Sequence, residues 1–195
     1  MIIINFKKYK TGKEAVKLAK TCEKYKAICA VLPEDVPIVS REVKTPVYYQ
    51  YIKDKVPYKK AKGTLLNHSD HPISNKTIKR RLKIAKKAGL KTVVCCTNTK
   101  RAKEIDKMKP DYIAVEPKEL IGGKISVSKA RPELIEHTVK AVKTKVLCGA
   151  GINTRQDIKT ALKLGAKGVL VASAVAKAKQ PAKKLAELTK DLNKR

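Results

Sequence analysis

The chain has 195 residues, 43% of them hydrophobic, which suffices for one sizeable core and leaves too little for two comfortable domains. Lys and Arg number 46 against 17 acidic residues, a formal charge of +29 that predicts a positive field attracting anions, whether phosphorylated metabolites or nucleic acid. Five cysteines, an odd number lying mostly in apolar runs, argue against a disulfide frame; no apolar stretch approaches the ~20 residues of a membrane span, and MIIINFKKYK lacks a signal peptide's apolar length, so a cytoplasmic location is expected.

From the N-terminus onward, short apolar runs alternate with amphipathic stretches. The runs lie at 2–6, 27–32, 47–51, 64–66, 92–96, 112–115, 145–148 and 168–171. Most are continuously hydrophobic, as parallel strands buried on both faces require. With 4% aromatic residues and no Trp, their core must be Ile, Leu, Val and Ala. The stretches between them carry helical stripes. Ile78, Leu82, Ala85 and Ala88 form one, opened by Ser74 as a cap, and Leu134, Thr138, Ala141 and Val142 form another. Thr154 and Asp157 approximate a capping box ahead of Ile158, Ala161 and Leu162, and Gly165 supplies the left-handed residue that ends that helix. Residues 174–192 read as one Lys-faced amphipathic helix. Eight strands joined by right-handed helical crossovers close naturally into an α/β fold, a (β/α)8 barrel spanning 1–195 as one domain.

One interval breaks the rhythm. Between Tyr51 and Gly63 stand eleven residues, IKDKVPYKKAK, interrupted by Pro57. A crossover helix with its turns needs ten or more residues, and Pro disfavours a helix interior. The third βα unit is therefore expected to be truncated.

In such a barrel the chemistry stands at the C-terminal ends of the strands. Read in order, those ends are Asn5 and Lys7, Gln50, Asn67-His68-Ser69-Asp70, Glu116-Pro117, Gly149-Ala150-Gly151 and Ala172-Ser173. One cation, one imidazole and one carboxylate come from different strands, followed by two small-residue turns that let backbone N–H groups approach an anion. The pattern is a phosphate site beside an acid/base pair. The vicinal Cys95-Cys96 pair has no second Cys or His cluster at ligand spacing, so no metal site is expected.

The segments NFK at 5–7, GTLLNHS at 63–69, PDYIAVEPKELIGG at 110–123, SVSKA at 126–130, VLCGAGI at 146–152 and GVLVAS at 168–173 resemble the archaeal type of triosephosphate isomerase in both order and spacing, over nearly the whole length. The resemblance implies the TIM-barrel fold and an isomerase of glycolysis and gluconeogenesis. Its substrates would be dihydroxyacetone phosphate and glyceraldehyde 3-phosphate, with no cofactor. It implies Glu116 as the base, neutral His68 as the electrophile, Lys7 as a stabiliser of the oxyanion and the phosphate, and Asn5 as a residue that hydrogen-bonds the substrate oxygen. It also implies a mobile lid over 117–127, with Ile121, Gly122, Gly151, Ala172 and Ser173 binding substrate or phosphate mostly through the backbone.

Three departures accompany the resemblance. Asp70 stands where the family carries Glu, a carboxylate one methylene shorter, from which slower turnover is expected. The lid reads Gly122-Gly123-Lys124 in place of Gly-Thr-Gly, adding freedom at Gly123. The shortened stretch after Tyr51 is where the family carries the third loop, which reaches into a neighbouring subunit, so a monomer or a non-standard oligomer is expected. Competing readings are a phosphosugar-binding barrel of weakened or changed activity and a basic nucleic-acid-binding barrel. No nucleic-acid motif or aromatic stacking run accompanies the charge, so no specific nucleic acid is expected.

Overall fold

The eight apolar runs become eight strands: β1 (Ile2–Asn5), β2 (Ile28–Val31), β3 (Val47–Tyr49), β4 (Gly63–Leu66), β5 (Lys91–Cys96), β6 (Tyr112–Val115), β7 (Lys145–Cys148) and β8 (Gly168–Val171). In the computed structural model, which describes residues 1–123 and 125–190, all eight are parallel and hydrogen-bond in sequence order. β8 returns to β1 through the register Ile2↔Val169, Ile3↔Leu170, Ile4↔Val171, closing the barrel. Outside the strands lie α1 (Gly12–Lys24), α2 (Val36–Glu42), α3 (Asn75–Lys87), α4 (Thr99–Asp106), α5 (Val127–Ala130), α6 (Pro132–Ala141), α7 (Arg155–Lys163), α8 (Ser173–Ala176) and α9 (Pro181–Thr189).

Successive side chains of a strand point to opposite faces, so a continuous apolar run fills two layers at once. Ile3, Ala30, Leu65, Val93, Ala114, Leu147 and Leu170 point inward and fill the barrel. Ile2, Ile4, Val31, Val94, Val115 and Val169 point outward against helix residues such as Leu18, Ile78, Ile105 and Ile135. The ring of Tyr48 also occupies the interior, and Gly63 across from it makes room: a Cβ there would lie 2.5 Å from the Tyr48 ring and 2.7 Å from the Lys91 carbonyl.

Local signals set most helix ends. The Ser74 hydroxyl accepts from the Thr77 N–H at the start of α3, and Thr154 and Asp157 form a reciprocal capping box on α7. Gly165, at φ +93°, follows α7 in the left-handed conformation. Two expectations need correction. Ala88 is exposed at the C-terminal cap of α3, and the buried stripe is taken up by Leu90 instead. The stretch 174–192 is not one helix: α8 stops after Ala176, and α9 begins at Pro181, whose missing N–H suits a first turn and not an interior. The end of that expected helix, including Leu192, lies outside the described residues.

No helix stands between β3 and β4, so the third βα unit is a strap over residues 50–62. Ile52 and Ala61 are buried and cover the outer face of the sheet where a helix would have packed. The Tyr49 hydroxyl fastens the strap from beneath, accepting from the Tyr58 N–H at 2.8 Å and donating to the Tyr58 carbonyl at 2.9 Å. Tyr49→Phe leaves both backbone groups without this partner, and a loss of about 1–3 kcal/mol is expected, read as a lower urea midpoint at unchanged slope. An unchanged midpoint would show that water satisfies Tyr58 equally well.

Candidate active site

Five strands converge their C-terminal ends on one small cavity. It measures about 160 Å³ and is lined by Asn5, Lys7, His68, Glu116, Ile121, Gly122, Gly151, Ala172 and Ser173 among others. Every residue to which the resemblance gave a role therefore lines this one cavity, whereas Asp70 stands behind Lys7, and Gln50, Asn67, Ser69, Pro117 and Gly149 of the strand ends do not line it. A larger opening of about 760 Å³, lined from the loops after β4 and β5, shares Glu116 and Ile121 with it.

Backbone bonds fix the two nitrogen donors. The Asn5 side-chain carbonyl accepts from the Lys7 N–H at 3.0 Å, which leaves its NH₂ facing the cavity. That turn holds Lys7 at φ +50°, a conformation that costs a non-glycine residue about 1 kcal/mol and carries its side chain back toward the barrel mouth. Asn67, also left-handed at φ +55°, ties the loop after β4 at both ends, donating to the Cys95 carbonyl at 2.9 Å and accepting from the Ile73 N–H at 3.0 Å. Within that loop the Asp70 N–H donates to His68 Nδ1 at 3.2 Å. A backbone N–H can only donate, so Nδ1 is the acceptor and the ring proton sits on Nε2. Asn5 Nδ2 and His68 Nε2 then meet 3.2 Å apart as two donors with no acceptor between them. Two donors aimed at one point describe a hole for an electron-rich oxygen.

The carboxylates take different surroundings. Asp70 Oδ1 accepts from Lys7 Nζ at 3.2 Å and Oδ2 from Gln50 Nε2 at 3.4 Å, so the shorter side chain does reach the lysine. Gln50 was visible in the sequence as a strand end, yet only the structure gives it this contact. Glu116 is 7% exposed, its Oε1 stands 3.9 Å from His68 Nε2, and its buried Oε2 has no hydrogen-bond partner. Gly149 makes its position possible, since a Cβ there would fall 2.4 Å from Glu116 Cγ. The Cys95 thiol beside it is pushed well above the ordinary thiol range by burial and then by the Glu116 charge, so the neighbour is a neutral wall.

The 117–127 segment lies over this cavity. A short 3₁₀ turn (Lys118–Leu120) leads to Gly122 at φ +74°, and Gly123 donates to the Leu120 carbonyl at 3.1 Å. Asn153 donates to the Gly123 carbonyl at 3.2 Å, so this glycine is held from both sides. Lys124, expected to alter the lid, lies outside the described residues. The far end rests on Gly151, at φ +66°, where a Cβ would meet the Ile125 carbonyl at 2.1 Å. Asp157 then pins the end of this segment to the loop after β7. It accepts from Ser126 Oγ at 2.9 Å, from the Asn153 N–H at 3.0 Å and from the Thr154 N–H at 2.8 Å.

Comparison with known proteins places this arrangement. The family model described as "Triosephosphate isomerase" matches residues 54–190. The triosephosphate isomerase of Archaeoglobus fulgidus is 41% identical, with 96% of each chain covered. That of Methanocaldococcus jannaschii is 41% identical over 97% of this chain and 99% of its own. Among solved structures, the tryptophan synthase complex of Pyrococcus furiosus superposes with a TM-score of 0.71 at 17% identity, covering 96% of both chains. Thiamine phosphate pyrophosphorylase from the same organism gives 0.68 at 21% identity, covering 97% of this chain and 93% of its own. Those two share the fold alone.

The Asp157 pin has a pH signature. Burial opposes its ionisation, but the Asn153 and Thr154 N–H donors and the Ser126 and Thr154 hydroxyls outweigh it, holding the carboxyl below the usual aspartate value of 3.8. A depressed folded pKa contributes stability above the unfolded value and loses it as pH falls through the folded one. Asp157→Asn should therefore destabilise by about 1–3 kcal/mol at pH 7, with the gap to the parent narrowing below pH ~4 in urea titrations. A gap constant from pH 7 to pH 2 would mean that the charge contributes nothing.

Proposed function

The chain belongs to the triosephosphate isomerase family, and on that premise we propose how its residues divide the reaction that interconverts dihydroxyacetone phosphate and D-glyceraldehyde 3-phosphate. The protein is an intramolecular aldose–ketose isomerase. Its reaction moves one proton between adjacent carbons and another between their oxygens, through an enediolate. It needs a base beside the carbons and donors at the oxygens.

Glu116 is the base. It takes the proton from C1 of dihydroxyacetone phosphate, the C–H pair becomes the C1–C2 double bond and the carbonyl π pair moves onto the C2 oxygen. That oxygen then gains a proton from His68 Nε2, which regains one from the C1 hydroxyl, as the carboxyl returns its proton to C2. His68 Nε2–H and Asn5 Nδ2–H receive the oxygen on which charge develops, and Lys7 adds a positive charge beside it. The observation that carries this reading is the pair of unopposed donors 3.2 Å apart, next to the buried carboxylate oxygen that lacks a partner. Asp70 acts through its neighbours: its backbone sets the His68 tautomer and its side chain holds the Lys7 ammonium. Ile121 and Gly122 of the lid, with Gly151, Ala172 and Ser173, take the phosphate and exclude water, as the glycine turns and the shared cavity support.

The isomerase would serve glycolysis and gluconeogenesis in the cytoplasm. Among the described residues no helix is long and apolar enough to cross a membrane. For the quaternary state we favour a monomer. Gln50, 1% exposed, braces Asp70 from within the chain, and the strap over 50–62 folds back on its own sheet.

Two measurements test these readings. In a coupled assay Glu116→Gln should lower turnover by about 10²–10⁴-fold with little change in KM, the range for removing a general base; turnover within tenfold of the parent would remove Glu116 from that role. Native mass spectrometry should return a species of 21.6 kDa. A tetramer at micromolar concentration would overturn the monomer.

A further inference from the structure

The positive charge is unevenly distributed. Residues 53–62 and 76–87 hold twelve cations and one carboxylate, Asp54, whereas the other 173 residues hold 34 cations and 16 carboxylates. These two stretches are the strap and α3, and they adjoin in space, with Arg80 paired to Asp54 at 2.9 Å. Every one of the twelve is exposed except the half-buried Arg81.

On α3 the charges are ordered. Lys76, Arg80, Lys83 and Lys87 recur at i, i+4, i+7 and i+11, opposite the buried Ile78, Leu82 and Ala85. At 1.5 Å per residue that ridge runs ~16 Å, with neighbours ~5–6 Å apart. The arrangement works against the fold. Like charges at this spacing repel, and Lys76 stands in a first turn that lacks any acidic residue, where the helix dipole favours one. A polyanion laid along the ridge relieves both costs.

We propose that the α3 ridge and the adjoining strap dock a nucleic-acid strand through its phosphodiester backbone, without reading its bases. A single strand carries charge at regular short intervals and suits a linear row of cations. An anionic membrane is the poorer match, because a surface helix of that kind inserts large apolar side chains. Among the described residues the exposed ones are Ile38 and Ile125, on neither element. The surface is separate from the isomerase cavity and stands whether or not the catalytic reading holds.

The test uses the full chain and a fluorescein-labelled 20-nucleotide RNA, with a DNA strand of the same sequence, read by fluorescence anisotropy from 50 to 300 mM KCl. A ridge variant carries Lys76→Gln, Arg80→Gln, Lys83→Gln and Lys87→Gln. A control variant carries Lys163→Gln, Lys179→Gln, Lys183→Gln and Lys190→Gln, exposed lysines on the β8 side of the barrel, opposite β4. The ridge variant should bind at least tenfold more weakly at 150 mM KCl, with its salt slope smaller by about 3, while the control loses less than threefold. RNA and DNA should bind within threefold of one another. Losses within threefold between the variants would assign binding to diffuse charge and overturn the proposal. So would absent binding by the parent, a larger strand preference, or tighter binding to phosphatidylserine vesicles than to either strand. Melting temperature and isomerase turnover report whether each variant is folded; should the ridge variant fail, Lys83→Gln with Lys87→Gln is read instead, at half the slope change.

Discussion

The pairing of β8 with β1 is the constraint on which the site depends. Ile2, Ile3 and Ile4 bond to Val169, Leu170 and Val171 on one side while β2 takes the other, so β1 is never an edge. Only in that closed ring do Asn5 and Lys7 face His68 and Asp70, 63 residues further along the chain. Closure requires eight strands but not eight full crossovers, and the chain has economised where closure permits. β3 and β4 keep their register, Tyr48↔Gly63 and Tyr49↔Thr64, while the helix that would join them is reduced to a strap. Ile52 and Ala61 then supply the outer apolar cover that a helix face would have given.

Within that ring the donors are oriented by backbone and not by solvent. The Lys7 N–H claims the Asn5 carbonyl, and the Asp70 N–H claims His68 Nδ1, so the remaining hydrogens of both side chains have nowhere to go but the cavity. Holding two donors together before a ligand arrives raises the energy of the empty site, and the backbone shows where some of that is stored. Lys7, Asn67 and Ala150 are all left-handed and all lie at C-terminal strand ends. Such strain persists only where packing on both sides over-determines it. Asn5 and His68 are almost fully buried, which provides that packing.

How much of this was legible in the sequence depended on whether a local rule decided the outcome. The strands were legible because burial on both faces leaves continuous apolar runs, and the α7 cap because Thr154 and Asp157 answer to a three-residue rule. The strap was legible through Pro57 and a count of residues. The membership of Asn5, Lys7, His68 and Glu116 in one place followed from barrel topology. What escaped were contacts across the barrel. Nothing near Gly149 in the chain says that its missing Cβ accommodates Glu116, and nothing near Gln50 says that it reaches Asp70. The hydrogen bond that Gly123 receives escaped for the same reason, since it comes from Asn153, thirty residues away. The C-terminal stretch shows the opposite case, an amphipathic pattern that runs across a proline where the helix itself does not.

The shortened unit and the uneven charge bear on one another. With the strap in place of a helix, β3 and β4 stay buried under Ile52 and Ala61, and what the strap turns outward is mostly lysine. A symmetric dimer brings the same patch of both copies face to face, so any charge on it meets itself. Here that patch carries twelve cations and a single carboxylate, and Asp54 is already engaged by Arg80. Self-association through this face would bury like charges against one another at a cost no other group on it offsets. On this face the cations favour a partner of opposite sign over a second copy of the chain, so the proposed monomer and the proposed docking ridge rest on the same uneven charge.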